Sequence, residues 1–210
     1  MESAGRIWFR DAVSESSMRL LDSVVSSNSS PGARLLPSML GGALPELDAI
    51  AAQVDPSARA VRVVAFYKSE QVNWALGWHQ DRVVAVRDRV DVEGFSGWSR
   101  KASVWHAEPP LAVLESMFFL RVHIDPATEE NGALEIALAS HRYGRVPSDE
   151  AGALATSLDL EVCRAERGDV LAAKALMLHR SGPSKSGSSR RAIRVDYAVN
   201  DLPAPLAWAN

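Results

Sequence analysis

One cysteine, Cys163, stands in a chain of 210 residues, so no intrachain disulfide can form and nothing marks an oxidising compartment. An excess of either charge is also missing: 23 Lys and Arg against 26 Asp and Glu leave a net charge of −3. No run of five like charges occurs. This excludes an electrostatic footprint for nucleic acid or an anionic membrane, and a small molecule is the expected partner. Long hydrophobic runs are absent too. The most apolar stretch, 170–178, is nine residues broken by Lys174, far short of the roughly 20 that cross a bilayer. The opening MESAGRIWFR has no apolar core, so no secretory leader is expected and the cytoplasm is the expected location.

What is present suits one domain over 1–210, since 47% of the residues are hydrophobic and 23% charged, enough to build a core. Met18, Leu21, Val24 and Val25 recur at helical spacing over 14–25, and the polar run SSNSSPG ends that element. Pro45 opens a second short helix through Ala51. From about residue 59 the period changes. Segments 60–67, 117–124, 133–138, 158–164, 170–178 and 191–199 read as strands, with Asn131-Gly132 as a turn signal and a short helix over 148–157. A helical part, about 1–58, thus precedes a strand-rich body, about 59–200. Without regular βαβ alternation, the expected class is mainly β: a sandwich, jelly roll or barrel.

Trp78-His79-Gln80-Asp81 carries a His and an Asp two residues apart, which in extended backbone point to one face while Gln80 points to the other. His179, after the 170–178 run, offers a third donor. Two imidazoles and a carboxylate make a facial set that leaves three positions open on octahedral Fe(II), for a bidentate oxo-acid and O2. A second triplet, His123-Ile124-Asp125, competes for the role. Composition alone produces such a triplet about 0.3 times per chain, so pattern counting does not choose between them. After His179, a Ser/Gly segment with Ser181 leads to Arg190 and Arg191, a hydroxyl and a cation suited to a distal carboxylate.

These segments together, WHQD, RVHIDPATEENGALEIALASHRYG, GDVLAAKALMLHRSG and SSRRAI, resemble the phytanoyl-CoA dioxygenase-like Fe(II)/2-oxoglutarate oxygenases over about 63–197. The resemblance implies a double-stranded β-helix of the jelly-roll, cupin-like kind with the N-terminal helices packed outside. It implies iron on His79, Asp81 and His179, which would also be the catalytic set. It implies 2-oxoglutarate on Arg190 and Ser181, with Lys68 and Asn73 as further co-substrate contacts, and leaves His123 and Asp125 to structure. The implied reaction is hydroxylation of a small organic molecule by O2, with oxidative decarboxylation of 2-oxoglutarate to succinate and CO2 and with ascorbate as reductant in vitro. Asp81 argues against the related halogenases, which have Gly or Ala there. A cupin-like metal enzyme without 2-oxoglutarate and a catalytically silent binding module are the alternatives.

Residues 87–110 have mixed charge, Gly94 and Gly97, and no period. A long loop after a metal motif reads as a substrate lid. Trp98, Trp105 and His106 are its expected substrate contacts. His141 is expected to steady a turn.

Overall fold

The computed structural model describes residues 1, 3–28, 30–185 and 187–209. Ser29 of the polar run and Ser186 of the Ser/Gly segment lie outside the described residues. The elements are β1 (Arg6–Phe9), α1 (Glu15–Ser26), β2 (Ala33–Leu35), α2 (Leu44–Ala52), β3 (Arg59–Lys68), β4 (Leu76–His79), β5 (Val84–Val86), β6 (Ser96–Lys101), β7 (Val104–Glu108), α3 (Leu111–Ser116), β8 (Phe118–His123), β9 (Leu134–Ala137), α4 (Ala151–Thr156), β10 (Leu160–Val162), β11 (Val170–Lys174), β12 (His179–Ser181) and β13 (Arg190–Ala198). A six-stranded sheet runs β1-β11-β8-β13-β3-β2, a four-stranded sheet β10-β9-β12-β4, and a three-stranded sheet β5-β7-β6. Every pairing is antiparallel.

Alternation in the central strands decides which face is the core and which is the site. Phe118, Leu120 and Val122 of β8 and Ile193, Val195 and Tyr197 of β13 pack with Met18, Leu21 and Val25 of α1 and Leu47 and Ile50 of α2. Ser14 caps α1, its Oγ accepting from the Ser17 N–H at 3.4 Å. The intervening residues turn the other way. Phe119 of β8 packs with Leu134 and Ile136 of β9, so the four-stranded sheet faces the inner side of the six-stranded one. The fold is the expected mainly-β, jelly-roll, cupin-like one with helices outside, and its sheets are not closed into a barrel. No helix among the described residues is long and apolar enough to cross a membrane.

Three expectations need correction. The N-terminal part is not purely helical: β1 pairs with β11 and β2 with β3, each too short to display a period. The run 170–178 is not one strand. β11 ends at Lys174, Met177 N–H closes a turn onto the Lys174 carbonyl at 3.1 Å, and the chain enters the other sheet as β12. Its unbroken apolarity reflects burial in two sheets. Residues 87–110 are not one long loop: 87–95 hold no helix or strand, but β6 and β7 form a hairpin in the third sheet. Trp98 and Trp105 pack there against the cluster of Val86, Phe95, Leu202, Leu206 and Trp208.

Candidate metal centre

The antiparallel pairing of β4 with β12 sets His179 directly opposite His79, with ring centroids 4.2 Å apart. Past the end of β4, Asp81 turns to the same side. Gln80 points away, donating to the carbonyls of Gly144 at 2.8 Å and Leu176 at 2.7 Å and accepting from the Val146 N–H at 2.9 Å. These three bonds anchor the backbone between the two candidate ligands. Ser140 braces the other side: its Oγ donates to the Ala137 carbonyl at 2.6 Å and accepts from the N–H of Leu178 at 2.8 Å, next to His179.

Each imidazole is oriented by a carbonyl two residues earlier. His79 Nδ1 lies 2.8 Å from Gly77 O and His179 Nδ1 lies 2.9 Å from Met177 O. A carbonyl oxygen only accepts, so the proton sits on Nδ1 and the Nε2 lone pair is free on both rings. One donor atom from each of His79, Asp81 and His179 lies within 4.8 Å of the other two, the one such group of three among the described residues. Burial pushes His179 down to about 3 despite the pull of Asp81, so the ring is neutral at pH 7. Burial works to raise the Asp81 pKa, but Arg194, with His179, Arg62 and His79, outweighs it and holds the carboxyl well below the usual range. Arg194 bonds Asp81 and, 2.6 Å away, Asp196 Oδ1.

A cavity of about 230 Å³ contains the three donors. Its buried lining includes Phe119, Arg121, Leu134, Ser181 and Arg194; its exposed lining includes Pro31, Arg34 and Leu76. Ser181 is therefore on the cavity wall. Its Oγ donates to the Gly132 carbonyl at 2.9 Å and accepts from Lys68 Nζ at 3.1 Å and Arg190 Nη2 at 3.2 Å. Lys68 and Arg190 are 0% and 1% exposed and lie behind Ser181, off the cavity wall. Arg190 Nε also donates to Asn131 O at 3.2 Å, while its Nη1 is buried without a partner. Burial, then the charges of Arg190 and Arg121, push Lys68 down to about 7. Gly132 makes this junction possible: at φ +69, a Cβ there would sit 2.4 Å from Gly182 O and 2.9 Å from Lys68 Nζ.

Asn73 does not reach the cavity. It clasps Ser184, donating to its carbonyl at 2.9 Å and accepting from its N–H at 2.8 Å, and so fixes the Ser/Gly segment. Trp98, Trp105 and His106 are not among the cavity-lining residues either. His106 is 1% exposed in β7, and burial lowers it to about 4. The second triplet is split between two structural duties. His123 is fully buried, its Nδ1 3.2 Å from the Asp169 carbonyl and its ring 5.7 Å from Trp8. Asp125 holds Arg191 by a two-point bridge, with Oδ2 2.8 Å from Nε and Oδ1 2.7 Å from Nη2.

Sequence reasoning missed the arginines that point inward: Arg34, Arg62, Arg121 and Arg194 all line the cavity. One signal was available for Arg121, a lone charge inside the apolar run FFLRVH. At 4% exposure its Nε has no hydrogen-bond partner, and burial followed by the charge of Arg190 lowers it to about 9.

The family model described as Phytanoyl-CoA dioxygenase matches residues 43–192. No curated protein sequence matches the chain. Among solved structures, AviO1 from Streptomyces viridochromogenes Tue57 is similar at TM-score 0.66 and 20% identity, covering 98% of this chain and 93% of that one. SnoN, a non-heme alpha ketoglutarate dependent epimerase from nogalamycin biosynthesis, is similar at 0.65 and 13% identity, covering 97% and 87%. EctD from S. alaskensis, solved with 2-oxoglutarate and 5-hydroxyectoine, is similar at 0.66 and 14% identity, covering 96% and 75%. At these identities the likeness to solved structures shows the fold.

Proposed function

The chain belongs to the phytanoyl-CoA dioxygenase family, and from that premise we propose that it is an Fe(II)- and 2-oxoglutarate-dependent oxygenase that hydroxylates a small organic molecule. The observation that carries the reading is the facial donor set: two imidazoles with free Nε2 atoms and one ionised carboxylate, converging within 4.8 Å beside a cavity. That donor chemistry fits iron(II) with positions left open. When bound, iron with 2-oxoglutarate and O2 supplies the oxidation, one oxygen atom going to the substrate and the other to succinate as CO2 is released.

The protein's own groups do the holding and the positioning. His79, Asp81 and His179 take the metal, and Arg194, braced by Asp196, keeps Asp81 ionised and aimed. When 2-oxoglutarate binds, the Ser181 hydroxyl would turn its proton from the Gly132 carbonyl to the distal carboxylate. Arg190 and Lys68 place positive charge behind that hydroxyl, and Arg121 places it on the wall. The unpartnered Nη1 of Arg190 and Nε of Arg121 are the groups an anion would satisfy. Phe119 and Leu134 supply the apolar part of a buried lining that also carries Arg121, Ser181 and Arg194, and exclude water there. Asn73 acts indirectly, through the loop it clasps.

With Fe(II), ascorbate and 2-oxoglutarate under air, the protein should form succinate slowly even without a prime substrate, as uncoupled turnover. No succinate, together with no calorimetric binding of 2-oxoglutarate in the presence of iron, would return the chain to the cupin-like or silent alternatives. Product analysis tests the hydroxylation: a product gaining one oxygen supports it, whereas an isomer of the substrate would align the chain with the epimerase that shares its fold.

A further inference from the structure

We propose that the prime substrate carries a carboxylate on an apolar body and that Arg34, at the cavity rim, receives the carboxylate; this rests on the cavity being the active site. Five arginines line the cavity, Arg34, Arg62, Arg121, Arg180 and Arg194, against a single acid, Asp81. Three of the five are neutralised by acids. Arg194 spans Asp81 and Asp196, Arg62 bonds Asp196, and Arg180 Nη2 lies 2.7 Å from Glu135 Oε2. Arg121 is buried, and its charge acts on those of Arg190 and Lys68, at the end read above as the co-substrate's.

Arg34 is different. It is exposed, forms no salt bridge among the described residues, and has the Gly32 carbonyl at 3.3 Å as its hydrogen-bond acceptor. The register of β2 on β3 places Arg34 opposite Val64. That is the face bearing Arg62 and Phe66, so the side chain turns toward the cavity. Partial burial and then the charge of Arg62 lower its pKa, and the charge of Asp81 offsets part of this. Beside it, Pro31, Trp74 and Leu76 make an apolar rim, with Leu76 49% exposed. An apolar wall ending in one unneutralised guanidinium matches an amphipathic anion. A planar fork of donors pairs with a carboxylate or a phosphate, and one guanidinium balances the single charge of a carboxylate but not the roughly double charge of a phosphate monoester. The surplus of positive charge around the cavity also draws anions in and disfavours amines.

The test uses the full chain loaded with Ni(II) and saturating 2-oxoglutarate, so that acids cannot occupy the co-substrate end. Three probes of matched body, 3-phenylpropionate, 3-phenylpropanamide and 3-phenylpropylamine, are titrated and their binding read by ligand-observed NMR. The carboxylate should bind at least about tenfold more tightly than the amide or amine, and more weakly as salt is raised. Arg34→Gln should weaken the carboxylate by about tenfold or more at an unchanged melting temperature, while Arg34→Lys should restore part of the loss. Equal binding of carboxylate and amide, no binding of the carboxylate, or an unaffected Arg34→Gln protein would each overturn the proposal. Failure of the oxygenase reading shows separately, as absent binding of 2-oxoglutarate to the Ni(II) protein.

Discussion

At the level of single residues, the site is a problem in burying positive charge. Lys68, Arg121 and Arg190 are all at most 4% exposed, and no acid forms a salt bridge with any of them among the described residues. Truncating a buried, hydrogen-bonded charge costs about 2–5 kcal/mol in binding. Arg190→Ala should therefore raise the Kd for 2-oxoglutarate by about 30-fold or more, whereas Arg191→Ala, which loses its bridge to Asp125 on the opposite face, should leave it within about twofold. Calorimetry on the two variants checks this, and equal effects would remove Arg190 from the co-substrate end. Lys68 adds a pH signature. Its pKa is lowered from the ordinary 10.5 to about 7, so between those values the unfolded chain holds the extra proton and this group's contribution to stability rises with pH. It is complete above 10.5 and lost as the pH falls through 7. Denaturation at pH 7, 8 and 9 should show the stability gap between wild type and Lys68→Met moving in favour of wild type as pH rises. His79, Asp81 and Ser181 were legible because short spacing alone aligns them. Arg34 was not, and Arg121 showed only as a lone charge in an apolar run, because only strand pairing tells which face of a β-strand looks into the cavity.

Among elements, the pairing of β4 with β12 does the assembling, since it brings His79 and His179 together from positions 100 residues apart. The third sheet shows why local pattern failed. β6 contains Gly97 at φ +60 and a register shift between Ser96 and Ser99, so its alternation is broken. The turn into β7 is made by Ala102 at φ +48 and Ser103 at φ +66, where the usual Asn-Gly signal is missing. With neither periodicity nor turn chemistry to read, the segment looked like a loop. Because Trp105 packs half-buried against that sheet's core cluster, Trp105→Ala should lower stability by about 1–3 kcal/mol and leave 2-oxoglutarate affinity nearly unchanged. Chemical denaturation alongside calorimetry distinguishes this from a lid, which would show normal stability and weakened substrate coupling.

Across the whole molecule, the six-stranded sheet divides the labour between its faces. The outer face, under α1 and α2, carries the apolar core. The inner face carries Arg62, Arg121, Arg194 and Asp196, charges that a sandwich interior ordinarily excludes. A net charge of −3 for the chain conceals a cavity lined by five arginines and one acid, so the average composition gives no sign of the charge gathered around the cavity. The fold class was legible because the long strands β3, β8 and β13 span the core and keep their Val- and Phe-rich runs. The short edge strands β1 and β2 were not, because three or four residues hold no period.

If iron(II) sits on His79, Asp81 and His179 in contact with 2-oxoglutarate, anaerobic visible spectroscopy will register it. Adding Fe(II) to the protein with 2-oxoglutarate should produce a weak charge-transfer band that saturates at equimolar iron, vanishes in Asp81→Ala and persists in Asp125→Ala, with both variants folded by circular dichroism. A band that survives Asp81→Ala and disappears in Asp125→Ala would move the metal to the His123 triplet and rule out the His79, Asp81 and His179 centre.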